Sequence, residues 1–378
     1  MLLAAREILR SKLRFSLLSG AVGLLVFLIL FQQALLGGLI NDFIGAIENQ
    51  DSPILVFDDQ ARSNVEGSFV RPDQVAAIGE VDGVAASAPI GQATYTVDAG
   101  DEITDAVLFG YTLGGLGAPT SLTEGRLPEG PDEAVASSAD ADDGFGIGEV
   151  VRILGAGGTP GPEVTVVGLG DNLRWSVAPT LFVSYDTYER AQQAVNPAAE
   201  VVFASLVAVQ PADGVELGDL TDRIDAEVAG VEALTNTEAI DDNPGVQGVN
   251  QSFQIILALA FLVVTLVIGF FFLILTVQKT GALTLLRAIG APTSYLIKNL
   301  LVQILLVLGG GAVIGIALTA LVVYGAPPGG VTVAIEPATV LQTMVGLVVL
   351  SLLGGIASIR RVTRVDPISA TTTVGAAR

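Results

Sequence analysis

Long apolar runs, separated by one long stretch of mixed polarity, divide this chain. From Ile255 to Leu275 there is no charge, and only Thr265 and Gly269 interrupt the apolar residues. A helix needs about 20 predominantly apolar residues to cross the hydrocarbon layer, and within lipid it satisfies its own backbone groups. A span is therefore predicted at 251–277. The same argument predicts spans at 15–40, 299–324 and 338–359, with GAPPGG (Gly325–Gly330) breaking the chain into an outer loop at 325–337. Ahead of the first span, residues 1–14 set Arg6, Arg10, Lys12 and Arg14 against a single Glu7, with Leu2, Leu3, Ile8, Leu9 and Leu13 as an apolar side. That pattern predicts an amphipathic helix lying in the membrane interface. A secretory signal also starts basic and turns apolar, but this run is too long and no small-x-small site follows it cleanly.

Between the first two spans, residues 41–250 switch to short alternating segments. Strands are predicted at Pro53–Phe57, Ala86–Val97, Asp105–Leu113, Thr180–Ser184, Val201–Val209 and Val231–Leu234. EVVRIL and EVTVVGL flank a Gly/Pro turn and predict a hairpin. Helices are predicted at Arg71–Val81, Ser184–Ala194 and Glu216–Val228. Thr123–Asp143, rich in Gly, Pro, Asp and Glu, reads as turns over an exposed face. The fold class is thus a membrane α-helical protein of four transmembrane helices, with a large α+β extracytoplasmic domain inserted between helices 1 and 2. A division of that domain into two subdomains, at about 41–195 and 196–240, is left open.

Charge orients the picture. The 378 residues carry a formal net charge of -21, yet only 15% are charged and 51% are hydrophobic. Residues 41–250 hold 36 of the 39 acidic side chains and only 7 of the 18 basic ones; the other 11 flank the apolar runs. The positive-inside rule then puts both termini, the segment 278–298 and the tail 360–378 in the cytoplasm, and 41–250 outside the plasma membrane. Phosphate binding needs a basic face, so no nucleic acid partner is expected.

Candidate chemistry is sparse. The chain has no Cys and no His, which excludes a disulfide framework, the common zinc sites, thiol nucleophiles and His-based triads. There is no Walker A sequence, and GGLGAP and GAGGTPG read as turns. The acidic run Asp140–Gly146 lacks the closing glutamate of an EF-hand and reads as a solvated turn. No catalytic residue, metal or directly bound cofactor is expected. Other positions carry the functional argument. Gln32 and Gln33 lie in the outer third of the first span, where polar groups mark either a substrate path or a helix–helix hydrogen bond. Gly311 and Gly315 form a G-x-x-x-G that permits close helix packing. In 278–298, Lys279, Leu283, Leu286, Arg287, Ile289 and Gly290 make a basic amphipathic segment. Its apolar side must be covered by the membrane surface or by a soluble partner.

The order of one span, a large outer domain and three spans resembles the MacB/FtsX-like family of ABC permeases. So do Leu285–Val307, with its LLRAIGAPTSY start, and RVTRVDPISA (Arg361–Ala370). LTEGRLPEGPDEAVAS, GIGEVV and VTVVGL are similar to the family's periplasmic core, and REILRSKLRFSLLS is most similar to the DevC/HrtB branch. The resemblance implies a non-catalytic permease subunit that works as a homodimer in contact with membrane lipid. ATP would be bound and hydrolysed by a separate cytosolic ATPase dimer docked on Gln278–Ala291. The implied function is export of an amphiphilic or lipid-like substrate by mechanotransmission, with room for an extracytoplasmic partner. Two alternatives come with it. One is FtsX-type signalling to an extracytoplasmic cell-wall hydrolase. The other is haem export, for which the chain lacks the ordinary His and Cys ligands.

Overall fold

The computed structural model describes residues 12–100, 102–158, 160–199, 201–278, 292–325 and 337–354. In chain order the elements begin with α1 (Lys12–Glu48), β1 (Ile54–Asp58), α2 (Pro72–Glu80), β2 (Val84–Asp98), β3 (Ile103–Tyr111), β4 (Leu122–Gly125) and β5 (Glu133–Ser137). They continue with β6 (Val150–Leu154), β7 (Pro160–Gly170), β8 (Thr180–Ser184), α3 (Tyr185–Val195), β9 (Leu206–Pro211), α4 (Leu217–Glu227), β10 (Val231–Thr235) and α5 (Asn236–Asp241). The last described helices are α6 (Pro244–Gln278), α7 (Thr293–Gly325) and α8 (Pro337–Gly354). These elements sort into a helical unit and a sheet unit. The sheet unit takes the described residues from 38 to 251.

In the helical unit, Phe15–Glu48, Pro244–Phe271 and Leu301–Val323 are long and apolar enough to cross a membrane, and Val340–Leu353 is a shorter apolar helix. Val22, Val26 and Ile29 of α1 pack with Val264 and Ile268 of α6, Ile304 and Val307 of α7, and Leu347 of α8. The outward faces stay apolar: Ile255, Leu259, Leu262, Leu266 and Phe270 recur every three or four residues along α6 and are all exposed. A helix that is hydrophobic all round suits lipid rather than water.

Three of these helices exceed the predicted spans. α1 runs eight residues past position 40, because NDFIGAIE keeps Ile44 and Ile47 at helical spacing and buries both. α6 starts at Pro244 rather than 251. Asn243 caps it, its Oδ1 accepting from the Gly245 and Val246 amides, and proline follows at the first helical position. α7 likewise takes over residues 293–298 of the predicted linking segment.

Among the described residues the sheet unit holds one mixed ten-stranded sheet, in the order β10-β1-β9-β2-β3-β8-β5-β7-β4, with β6 joining β2 and β7. The β3–β8 and β5–β7 pairs are parallel. Strand alternation feeds separate cores. Leu55 and Phe57, Phe109 and Tyr111, and Leu206 and Ala208 face one side, under Ile44 and Ile47 of α1 and Val246 of α6. Ile54, Val56, Val207 and Val209 face the other, under Ile78 of α2 and Leu220 and Ile224 of α4. Further along that second side, Ala106, Leu108, Leu181 and Val183 lie under Ala191 of α3.

Two expectations for this region are corrected. Residues 196–240 form no subdomain of their own, since β1 lies between β9 and β10 and pairs with both. Nor is Thr123–Asp143 only exposed turns. It contains β4 and β5, and Ala134, Val135 and Ala136 of β5 are fully buried between β7 and β8. Three small apolar residues between turn formers are too short a run to show alternation.

Candidate functional site

Each sequence-singled residue has a definite neighbour where it is described. Gly311 and Gly315 of α7 face α1 of the same chain. A Cβ added at Gly311 would lie 2.6 Å from Cγ1 of Val22, and one at Gly315 would lie 2.5 Å from Cγ1 of Val26. Gly23 of α1 completes the contact, because a Cβ there would sit 3.1 Å from the Gly311 carbonyl oxygen. Small residues let two backbones approach within lipid, where packing rather than the hydrophobic effect holds helices together.

Gln32 and Gln33 reach other helices of the same unit. Nε2 of Gln32 donates to the Phe253 carbonyl of α6 at 3.2 Å. Nε2 of Gln33 donates to Oγ1 of Thr343 on α8 at 2.6 Å. With the glycine contact, α1 is thereby tied to α6, α7 and α8. Both glutamines thus make helix–helix hydrogen bonds. Lys279, Leu283, Leu286, Arg287, Ile289 and Gly290 lie outside the described residues.

The sheet unit contains a further constellation at the end of α1. The loop after β7 reads Asn172-Leu173-Arg174-Trp175-Ser176-Val177. Alternation sends Leu173 and Trp175 into the core, where Trp175 meets Phe109 edge-on at 5.7 Å between ring centroids. Arg174 points the other way, to two acids. Its Nε donates to Asp140 Oδ1 at 3.0 Å, and another guanidinium nitrogen lies 3.7 Å from Oδ2 of Asp42 on α1. Burial pushes the Asp140 carboxyl up, and the Arg174 hydrogen bonds pull it back part of the way. The same bonds push the Arg174 guanidinium up. Asp140 is therefore a buried ion-pair member and not part of a solvated turn.

Backbone contacts reinforce this junction. The amides of Ser176 and Val177 donate to the carbonyls of Phe43 and Asp42, and the Ala46 amide donates to the Arg174 carbonyl. Gly45 leaves room for the Asn172 carbonyl, which also accepts from Asn49. Asn172, Ser176 and Val177 hold positive φ angles of 53°, 52° and 61°. Such a φ is a genuine outlier for a β-branched residue and persists only where its surroundings over-determine it. Sequence reasoning missed the junction. The available signal was a lone arginine between Leu173 and Trp175, a charge in an otherwise core-forming segment.

Comparison with known proteins bears on the whole chain. Residues 254–367 match the FtsX-like permease C-terminal family. The ABC transporter permease Rv0072 of Mycobacterium tuberculosis (strain ATCC 25618 / H37Rv) is 26% identical over 343 residues, covering 89% of this chain and 90% of the relative. The Staphylococcus haemolyticus (strain JCSC1435) protein carrying the name hemin transport system permease protein HrtB is 21% identical over 372 residues, 97% of this chain and 98% of that one. Among solved structures, the periplasmic region of MacB from Actinobacillus actinomycetemcomitans aligns at TM-score 0.36 with 14% identity, over 51% of this chain and 91% of that one. The extracellular domain of the ABC-type transporter YknZ from Gram-positive bacteria aligns at TM-score 0.34 with 16% identity, over 48% of this chain and 99% of that one.

Proposed function

We propose, from the premise that this chain carries an FtsX-like permease domain and has ABC transporter permeases as homologues, that it is the membrane subunit of an exporter for an amphiphilic or lipid-like substrate. In this reading α1, α6, α7 and α8 mark four spans, both termini are cytoplasmic, and the sheet unit lies outside. Two copies pair. A separate cytosolic ABC ATPase docks on residues 278–291 of each and supplies ATP hydrolysis, so this chain needs no nucleotide site.

One observation carries the mechanical part. α1 is 37 residues long and α6 is 35, whereas about 20 residues cross a bilayer. At 1.5 Å per residue each helix extends roughly 20–25 Å beyond the hydrocarbon core. α1 gives Val22, Val26 and Ile29 to the helical core and Ile44 and Ile47 to the sheet core. Hemin, in the HrtB name, is itself amphiphilic. With no His or Cys in this chain, the broader substrate class is favoured over hemin in particular.

The test is co-reconstitution in liposomes with a candidate ABC ATPase from the same cell. The permease should stimulate ATP hydrolysis, and ATP should drive a fluorescent amphiphile from the membrane. Stimulation without amphiphile movement would favour the signalling alternative. No ATPase binding at all would overturn the proposal.

A further inference from the structure

The segments leading into α2 and β9 run side by side in the sheet unit. The Val70 amide donates to the Ala204 carbonyl at 2.8 Å, in an antiparallel bridge. Successive side chains of extended backbone point to opposite faces. Val70 and Ala204 turn into the core, so Phe69 and Phe203 turn outward and are 58% and 40% exposed. Among the described residues of the sheet unit these are the two exposed phenylalanines, and both border one cavity of about 450 Å³. Val201, also exposed, adds to its apolar lining. Tyr188 and Gln192 of α3, with Asn196 at the end of that helix, supply polar groups. Gly91 and Gly110 admit Tyr188, since a Cβ at either would collide with its side chain. Nε2 of Gln192 donates to the Tyr188 hydroxyl at 3.1 Å. Among the described residues that leaves Oε1 of Gln192 without a donor.

Charge decides what such a cavity would take. No charged side chain lines it. The arginines nearest in sequence are committed elsewhere, Arg71 to Asp73 at 3.2 Å and Arg190 to Asp132 and Asp186 at 3.1 Å each. Glu189 is not committed. It precedes Gln192 by three residues and Asn196 by seven, which puts all three on one stripe of the helix. It is half-buried, and among the described residues it has no ion pair and no hydrogen bond. Burial and the neighbouring Asp186 push its carboxyl up, a cost that a nearby cation would offset. Residues 41–250 hold 36 acidic and 7 basic side chains, so the surrounding field draws cations and repels anions. Aromatic walls accept an apolar body and, over a ring face, a cation. We propose that this cavity binds a small organic amine, whose ammonium group pairs with Glu189 and donates to Oε1 of Gln192 while its apolar body lies against Phe69, Val201 and Phe203. The site belongs to the sheet unit alone and rests neither on the ATPase nor on export.

The experiment is equilibrium dialysis of the full chain in phosphatidylcholine nanodiscs, with binding to empty nanodiscs subtracted. The probes are 1-naphthylmethylamine, the neutral 1-naphthylmethanol and the anionic 1-naphthylacetate, which share one ring system. The wild type should bind the amine most tightly, the alcohol less and the acid least. Glu189→Gln should weaken the amine about fivefold or more and leave the alcohol unchanged. Phe203→Ser should weaken amine and alcohol alike, because it removes apolar wall and no charge. Both positions are at least partly exposed, and an unchanged Trp175 emission spectrum shows that each variant is folded. No saturable amine binding by the wild type, or equal binding of all three probes, would overturn the proposal. An amine preference that survives Glu189→Gln would assign it to the general charge of the domain and overturn the site equally. Amine binding untouched by Phe203→Ser would place the ligand elsewhere, with the same consequence.

Discussion

Arg174 and Asp140 meet below the surface, with their side chains 11% and 2% exposed, and the guanidinium also faces Asp42 on α1. Two acids and one base meet at this junction. Coulomb attraction does not by itself compensate the desolvation of three charges. The three groups come from a short helical turn (Ser138–Asp143), a loop and the long helix, so the contacts join segments far apart in sequence.

Arg174→Met should destabilise the sheet unit by about 3–5 kcal/mol, because it removes the counter-charge from the buried Asp140 carboxylate. Trp175, the single tryptophan of the chain, lies beside the substitution and reports unfolding by fluorescence. Asp140→Asn should cost less, since Asp42 remains to pair with the guanidinium. An Arg174→Met midpoint in urea equal to that of the wild type would show that the junction contributes nothing to stability.

Val177→Asn should stabilise the protein by about 1 kcal/mol. Asparagine tolerates the left-handed region far better than a β-branched residue does. Val177 is 43% exposed, so little packing is lost with it. A lowered unfolding midpoint would mean that the valine side chain, and not only its backbone amide, holds the loop to α1.

Gly315→Leu should force α7 from α1, with an overpacking cost of about 1–3 kcal/mol. Val26 already occupies the space a Cβ would need. Gly309→Leu is the control on the same helix, since nothing lies within 4 Å of a Cβ there. Thermal stability in detergent should fall for the first variant and hold for the second. Equal behaviour would remove the glycine contact as a determinant of packing.

An acid titration isolates one surface pair. Hydrogen bonds from Arg126 and from the Glu129 amide hold the Glu133 carboxyl down at about 2, against an ordinary 4.5. A depressed carboxylate stabilises the folded state fully above its ordinary pKa, and that contribution disappears as the pH falls towards 2. Glu133→Gln should therefore differ most from the wild type at neutral pH and converge with it near pH 2. A stability difference constant across this range would exclude the charge as its origin.

The sequence showed the apolar spans and most strands directly, because both depend on periodicity within one segment. Boundaries were harder. The Ile44 and Ile47 pair extends α1 into a region whose polar residues suggest a domain start, and Asn243-Pro244 starts α6 before its apolar run. What periodicity could not reveal was partnership. That Gly315 lies on Val26, that Gln33 reaches Thr343, and that Asp140 is buried by Arg174 are facts of tertiary placement. The acidic run at Asp140 has the composition of a solvated turn, and only its place beside the end of α1 distinguishes it.

The decisive functional prediction concerns Leu286 and Arg287. The segment 278–291 connects α6 to α7 and combines Lys279 and Arg287 with Leu283, Leu285, Leu286 and Ile289. A connector without a partner could be polar, whereas this one carries an apolar side that something must cover. The membrane interface is one candidate and a docked ATPase is the other. They respond differently to charge. Leu286→Asp and Arg287→Glu should leave the permease inserted and assembled, because neither position lies within an apolar span. Placing a carboxylate in an apolar protein contact without a partner costs a few kcal/mol, which lowers occupancy at least about tenfold. Both variants should then lose co-purification with the ATPase and its permease-dependent stimulation. If the segment only rests in the headgroups, ATPase binding and stimulation will be unchanged in both, and the proposed coupling through this segment falls.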